Sequence, residues 1–448
     1  MAEQKVPDRS LRVAITTLGC KVNQYESASF LSALQERQGV EVVPFSQKAD
    51  LYLVNTCAVT GKAGAQSRRT IRQALQRNAK ARVVVTGCYS QVAADDVAAL
   101  GEGRAIAIVG NGYKDLLVDF ALGGGKGDLL DLNRADIGRG REACHLPVQR
   151  FAGRTRAYVK IQDGCDSFCT YCIVPYARGR SRSVPLELAL GQVRMFSLAG
   201  VREIVVTGIH VGQYGHDLHP ATSLATFLRQ ATALHPHIRF RLSSLEPTEL
   251  TEEMLALFQE CSNLLPHLHI PLQSGDSGIL AAMNRRYDAK DFAQAIKRAH
   301  ELLPQAAIGV DIMAGFPGES EEAFVRGYEL LASLPITYLH VFPYSRRPGT
   351  KAADLPGQVV GPEKSRRVKL LLELGKTKRE EFYQRFLGQT MAVLAENNRN
   401  KKKLMKGFSP NYIPVYFSAP AAVKNRVVDV RITRLAGEDV YGEVVHAR

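Results

Sequence analysis

The sequence predicts an α/β protein in three parts: two parallel-sheet domains followed by a small antiparallel β-barrel. Three observations carry this. Over 10–122 short apolar runs alternate with helical runs. Over 151–386 the alternation resumes as six strand–helix units. After Gly388 it gives way to short β-like runs broken by Gly, Pro and Asn. A repeated βα order argues for parallel sheets with crossover helices, and short turn-punctuated strands argue for a barrel.

In the first part, 12–18, 51–54, 82–85 and 105–109 read as strands, and 25–38, 63–79 and 92–100 as helices. The fold expected is a Rossmann-like sheet. Cys20, Cys57 and Cys88 each fall just after a strand. In an open parallel sheet all strand carboxyl ends lie on one edge, where ligands bind, so the three thiols are expected to converge there. Buried Cys is also a common core residue, but three at equivalent places favour a shared ligand. The glycine-rich polar stretch 123–150 is expected to be a linker, with Cys144 in it no ligand.

The middle part begins with a strand over 157–161 that leads into Cys165-x3-Cys169-x2-Cys172. Three thiols in one short loop suit a metal better than disulfides. A tetrahedral zinc site asks for a fourth ligand, whereas an iron–sulfur cluster on three thiolates keeps one iron open. Further strands are expected over 203–206, 238–242, 267–270, 308–312 and 337–342. Six units make an incomplete (βα)6 barrel, since closure takes eight, and functional residues should gather at the strand ends. Candidates there are Thr207, Gly208, Ser243, Gln273 and Gly315. His210, His267, His269 and Cys261 are expected to be structural.

A charged helix over 359–387 could be a solvated face or an RNA-facing stripe. The last part, 387–448, holds ten basic residues against five acidic over 388–448. Lys401-Lys402-Lys403 and Lys406 lie close to Phe408 and Tyr412, a mixture suited to phosphate and unpaired bases. The whole chain of 448 residues carries a formal net charge of +14, which points to a polyanionic partner. No apolar run approaches a membrane span and 1–10 lacks a signal-peptide core, so a cytoplasmic protein without a membrane partner is expected. Eight cysteines in a reducing compartment read as metal-binding or catalytic.

Cys165-x3-Cys169-x2-Cys172 with Tyr171 before the last cysteine resembles the signature of radical S-adenosylmethionine (SAM) enzymes. Three upstream cysteines and a C-terminal barrel make the whole chain similar to the methylthiotransferase family. The segments Tyr-Cys-Ile-Val-Pro-Tyr-Ala-Arg-Gly-Arg-Ser-Arg-Ser at 171–183, His-Ile-Pro-Leu-Gln-Ser-Gly at 269–275 and Gly-Phe-Pro-Gly-Glu at 315–319 carry the likeness. Cys20-Lys21-Val22-Asn23 resembles the branch acting on N6-threonylcarbamoyladenosine in tRNA. The isopentenyladenosine branch usually has Gln-Met-Asn there, and the branch acting on a ribosomal-protein aspartate Pro-Lys-Asn.

The resemblance implies two 4Fe-4S clusters. One, on Cys165, Cys169 and Cys172, holds SAM on its open iron. An auxiliary one, on Cys20, Cys57 and Cys88, provides the inserted sulfur. It also implies SAM contacts from Phe168, Tyr171, Thr207, Gly208, Ser243, Gln273 and the segment from Ile312 to Gly315. Arg178, Arg180 and Arg347 are implied as substrate or SAM-carboxylate contacts. The product would be the 2-methylthio derivative of threonylcarbamoyladenosine 37, with the tRNA anticodon stem-loop and an electron donor as partners and the barrel TRAM-like. Because the adenine C2–H bond is not activated toward acids or bases, no catalytic Glu or His is expected. A non-enzymatic zinc protein binding RNA is the alternative of another class.

Overall fold

The computed structural model describes residues 10–104, 106–123, 137, 142–151, 153–399 and 404–447. The first sheet is parallel, with strands β1 (Leu11–Thr17), β2 (Val40–Val43), β3 (Leu51–Thr56), β4 (Arg82–Gly87) and β5 (Ile106–Val109) in the order β2-β1-β3-β4-β5. Every residue of β3 is buried, as its unbroken apolar start foretells. β2 was not expected from the sequence, being four residues long and paired only along one edge. The order reverses between β1 and β3, and that switch point is where open sheets bind ligands.

Helix α1 (Lys21–Gln35) starts directly after Cys20, four residues before the expected start. Its first turns bury Asn23, Glu26 and Ser27, so the apolar periodicity that marks a helix is missing there. Helix α2 spans Gly61–Arg77, and α3 is the short Cys88–Val92, separated by Ala93 from a second short helix, Ala94–Ala99. The helix expected over 92–100 is Ala94–Ala99, and Cys88–Val92 is an additional one before it.

Besides a short antiparallel pair, Gln162–Asp163 with Arg182–Ser183, the middle domain has six parallel strands in chain order: β6 (Arg156–Lys160), β7 (Glu203–Thr207), β8 (Arg239–Leu242), β9 (His267–Gln273), β10 (Ala307–Ala314) and β11 (Tyr338–Pro343). They form two three-stranded parallel ladders, β6-β7-β8 and β9-β10-β11, joined by single bridges at Phe240/Leu264 and Ser244/His269. The result is a half-barrel, and α1 packs on its β6 edge. Tyr25, Phe30 and Leu34 of α1 share one apolar core with Val159, Ile204 and Phe196. The Tyr25 hydroxyl donates to the Leu146 carbonyl at 2.8 Å.

The helix Gly361–Gln384 lies against β11 and leads to a closed barrel of β12 (Thr390–Arg399), β13 (Met405–Phe408), β14 (Pro414–Phe417), β15 (Val427–Ala436) and β16 (Asp439–Ala447). Its pairs are antiparallel except β14 with β16, which is parallel. β13 was read as loop because Lys406 and Gly407 interrupt it; Met405 and Gly407 face the barrel core. Closure leaves no free sheet edge. Among the described residues no helix is long and apolar enough to cross a membrane.

Candidate active site

The Cys165–Cys172 loop leaves the end of β6 through Gly164, whose φ is +75° and whose missing side chain would run into the Arg180 carbonyl. Only glycine fits that turn. The Cys165 amide donates to the Gly179 carbonyl at 3.0 Å, and Cys172 closes a turn on the Cys169 carbonyl at 2.9 Å. Donors surround the sulfurs. The Ser167 amide reaches Cys165 Sγ at 3.5 Å, His210 Nδ1 lies 3.6 Å from it, and Arg285 Nη1 donates to Cys169 Sγ at 3.3 Å. Arg285 is itself held by Glu246 and by the Tyr287 hydroxyl.

Burial pushes the Cys172 thiol up to about 12, whereas hydrogen bonds from His210 and Ser167 outweigh burial at Cys165 and lower it. Hydrogen bonds to Cys165 and Glu249 likewise raise His210 to about 10 against its burial. His210, expected to be structural, therefore touches the cysteine motif. Arg285, Glu246 and Glu249 were missed by the sequence reading because they are remote in the chain and carry no motif.

The second trio is assembled from three strand ends. Cys20 caps α1, Cys57 follows β3 and Cys88 opens α3. Gly19, at φ +96°, brings its backbone so near Cys57 that a Cβ there would lie 2.8 Å from Sγ. Gly87, at φ +99°, lies against the Thr56 backbone in the same way. Asn23 Nδ2 donates to the carbonyls of Leu18 (2.7 Å) and Thr56 (2.9 Å), and Thr56 Oγ1 to that of Thr86 (2.6 Å). Three loops distant in sequence are tied into one edge. Burial raises Cys57 to about 11 and raises Cys88.

All eight cysteines are free thiols. Among the described residues, the one group of three His, Cys or acidic side chains whose ligand atoms lie within 4.8 Å of one another is His269, Asp311 and His340. Neither cysteine trio is that tight. A tetrahedral zinc with Zn–S of about 2.3 Å needs sulfurs about 3.8 Å apart. The wider trios fit a polynuclear cluster held at three corners. Buried thiols that resist ionisation become thiolates when a cation takes the proton's place, so the donor chemistry fits iron as well.

A cavity of about 190 Å³ lies beside Cys172 and the loop that follows Cys57. Val59 and Thr60, just past Cys57, form one wall; Tyr171 and Cys172 form the other; Gln273 and Met313 reach it from β9 and β10. Gln273 adopts φ +69°, and its buried Oε1 has no hydrogen-bond partner in the protein. A second cavity, of about 250 Å³, adjoins Cys169 and is lined by Ser167, His210, Glu246 and Arg285. Thr207, Gly208, Ser243, Ile312 and Gly315 line neither cavity. Ile312 is buried in the core, Gly208 packs on Gln162, and Gly315 lies against Lys364. Phe168 (φ +45°) lies under the Arg180 guanidinium.

The three arginines part company. Arg178 is no ligand contact: it is fully buried, donating to Asn23 (2.6 Å), Glu26 (2.9 Å) and Asp163 (2.8 Å). With Lys114 and Lys160 also on Glu26, it binds α1 to the strand that leads into Cys165. Arg180 is exposed and 3.4 Å from Asp166. Arg347 lies beside Gly64 and Tyr89, and its buried Nε has no partner.

The RNA contact expected of the barrel aromatics is corrected. Phe408 and Tyr412 stack on each other (4.8 Å), under Arg156 and Arg241 respectively, so the pair packs on the half-barrel and is no open platform for bases. Lys401, Lys402 and Lys403 lie outside the described residues. On the helix Gly361–Gln384, Arg366 and Arg367 pair with Glu363 and Glu321, Arg379 with Glu438, and Lys378 caps the carbonyls of Ala332 and Leu334. Much of that helix's basic charge is thus paired within the chain.

Residues 159–331 match the model of the radical SAM superfamily, and residues 12–109 match that of an uncharacterized protein family, UPF0004. The fold and site are those of a radical SAM enzyme. Over 395 residues the chain is 38% identical to a threonylcarbamoyladenosine tRNA methylthiotransferase, MtaB, of Aquifex aeolicus, covering 87% of this chain and 94% of that one. It is 32% identical to the ribosomal protein uS12 methylthiotransferase RimO of Gloeobacter violaceus, over 97% of this chain and 99% of that one. A radical SAM methyltransferase of Kitasatospora setae shares the fold at TM-score 0.56 and 15% identity, over 77% of each chain. The chain belongs to the radical SAM methylthiotransferase family. Membership implies a 4Fe-4S cluster and SAM.

Proposed function

We propose that the protein inserts a methylthio group at C2 of N6-threonylcarbamoyladenosine 37 in tRNA. The observation that carries this is the cavity walled on one side by the loop after Cys57 and on the other by Tyr171 and Cys172. In this reading the substrate base occupies that cavity, beside Cys172 and the loop after Cys57. Cys165, Cys169 and Cys172 hold the cluster that binds SAM, and Cys20, Cys57 and Cys88 hold an auxiliary 4Fe-4S cluster. With SAM bound, the first supplies the radical that activates the C2–H bond and the second the sulfur, chemistry that belongs to the cofactors.

The chain's part is to bind and orient. His210, the Ser167 amide and Arg285 donate to the sulfurs of the first site, the kind of outer hydrogen bonding that tunes a cluster. Gln273 lines the cavity, and its buried side-chain carbonyl has no hydrogen-bond partner in the protein. Tyr171 and Gln273 are the SAM contacts the geometry favours, with Phe168, Thr207, Gly208, Ser243, Ile312 and Gly315 shaping the loops around them. In this reading 10–122 carries the auxiliary site, 123–150 links it to the radical domain at 151–386, and 387–448 serves RNA. The net charge of +14 and the basic excess of the last domain support an RNA substrate. The threonylcarbamoyl assignment draws on the 38% identical relative and on Lys21-Val22-Asn23.

Mass spectrometry of tRNA nucleosides from a deletion strain tests this. Loss of 2-methylthio-threonylcarbamoyladenosine with the isopentenyladenosine derivative unchanged is expected. Persistence of the former rejects the substrate, and loss of a modified ribosomal-protein aspartate instead assigns the other branch. Anaerobic reconstitution should load about eight irons per chain, four for each cubane. Stoichiometric zinc with no broad visible absorbance would sink the radical reading.

A further inference from the structure

Away from both cysteine trios, three side chains on neighbouring strands of the half-barrel converge on one point. His269 lies on β9, Asp311 on β10 and His340 on β11. Alternation along these strands sends Leu268, Ile270, Ile308, Val310 and Leu339 into the core shared with the helices. It turns His269, Asp311 and His340 to the opposite face of the sheet. Asp311 is the register partner of His340. Its Oδ1 lies 2.8 Å from His269 Nε2 and 3.3 Å from His340 Nδ1, and the ligand atoms of the three all fall within 4.8 Å of one another.

The surroundings fix His269. Tyr338 lies across Gly309, where a Cβ would fall 2.1 Å from its ring, so the glycine makes room for it. The Tyr338 hydroxyl thereby reaches His267 Nε2 at 2.7 Å and His269 Nδ1 at 3.4 Å. It has one proton to give. Given to His267, the closer ring, that proton leaves the phenol oxygen to accept from Nδ1–H of His269. His269 then points the lone pair of Nε2 at a carboxylate oxygen 2.8 Å away, a contact that only a cation between them makes favourable. An outer hydrogen bond of this kind orients a metal-binding histidine and sets its tautomer. The side chain of His340 is 58% exposed, which opens the group to solvent.

We propose that His269 Nε2, Asp311 and His340 Nδ1 bind a divalent transition-metal ion, zinc or ferrous iron, separate from the two cysteine sites. With metal–ligand bonds of about 2.1 Å, neighbouring ligand atoms lie about 3.0 Å apart in an octahedral shell and about 3.4 Å apart in a tetrahedral one. The separations of 2.8 and 3.3 Å match that spacing. Two imidazoles with one carboxylate suit first-row transition ions, whereas calcium and magnesium ask for oxygen ligands. Three protein ligands leave at least one position free, and on the exposed His340 side it is open to water or to an anionic oxygen of a substrate. None of the three residues lines either cavity beside the cysteines, so the ion is additional to both clusters. The proposal does not depend on which nucleoside is modified.

The test uses the full chain reconstituted to about eight irons. One portion is dialysed anaerobically against zinc and another against ferrous iron, and metal per chain is measured. Wild type should retain about one zinc per chain, with nitrogen and oxygen neighbours at about 2.0–2.2 Å and no sulfur at about 2.3 Å in X-ray absorption. If ferrous iron is the ion held instead, Mössbauer spectra should show a high-spin ferrous site beside the clusters. Loss of an outer partner alone weakens a metal site roughly 10–100-fold, so loss of a ligand should empty it. His340→Ala, at an exposed position, and Asp311→Asn, which keeps the shape, should both come out of dialysis without the added metal. Iron content and visible absorbance equal to wild type before dialysis show that the variants are folded and that no cysteine site is vacant to take zinc. Three results each overturn the proposal: wild type that retains neither ion, zinc with sulfur in its shell, or metal kept at the wild-type level by either variant. The first would leave a hydrogen-bonded histidine–aspartate group only.

Discussion

Cys165, Cys169 and Cys172 lie in one loop off a single strand, whereas Cys20, Cys57 and Cys88 are brought together from the ends of β1, β3 and β4. The first trio needs one turn to be right, with Gly164 allowing the loop to turn and Arg285 and His210 completing it from other loops. The second exists only when three strands are in register and two glycines let the loops close on each other. The two sites also differ in their surroundings. Sulfur-directed donors crowd the first, while the second is laced by backbone-directed bonds from Asn23 and Thr56. Local encoding gives a site that survives distant change; assembly from afar ties a site to the integrity of the sheet.

Cysteine replacements test that contrast most strongly. Alanine at Cys165, Cys169 or Cys172 should abolish SAM cleavage. Alanine at Cys20, Cys57 or Cys88 should leave cleavage in part and stop methylthio transfer. Each set should lose about half of the roughly eight irons. Identical behaviour of both sets in folded protein would end the division of labour.

Arg178 should be next in size, because it joins the two sites. Arg178→Met leaves Glu26 and Asp163 buried with fewer partners and should cost about 3–5 kcal/mol in chemical denaturation. Arg178→Lys should not restore it, since a single ammonium cannot reproduce the forked contacts.

Two glycine substitutions separate the sites; positive φ alone costs about 1–3 kcal/mol at each, and at Gly164 the clash with the Arg180 carbonyl adds to it. Gly19→Ala should drain iron from the auxiliary site and spare SAM cleavage. Gly164→Ala should do the reverse, read by iron content and by release of 5′-deoxyadenosine.

Acid titration probes the joint itself. Burial would raise the Glu26 carboxyl, but Arg178, Lys114 and Lys160 lower it to about 2. A carboxylate depressed from about 4.3 stabilises the fold above that value and loses its contribution as pH falls toward 2. Denaturation midpoints should therefore drop across that window, and Glu26→Gln should flatten the drop while lowering stability at neutral pH. The smallest effect is expected at Arg180. It is exposed, so Arg180→Ala should change stability by less than about 0.5 kcal/mol.

Much of this architecture was legible in the chain. The radical-site trio is a local spacing, and the strands of both sheets show as apolar runs because both faces are covered. The convergence of Cys20, Cys57 and Cys88 could be read from topology alone, since parallel strands share one carboxyl edge. β2 and β13 escaped because short edge or glycine-bearing strands bury too little to leave a pattern. The start of α1 escaped because its inward face is polar.

Partnership could not be read in this way. Arg178, Phe408 and Tyr412 look like ligand contacts by residue type, yet each is used up inside the fold, while His210 looks structural and touches Cys165. The sequence alone determined the α/β class, the three parts and the two cysteine trios, because periodicity and local spacing are properties of neighbouring residues. The tertiary structure decided which cations are neutralised, Arg178 by Glu26 and Asp163 and Arg241 by Glu203. It decided too that one cavity borders both Cys172 and the loop after Cys57. These depend on contacts between residues tens to hundreds of positions apart, which strand register and domain packing set.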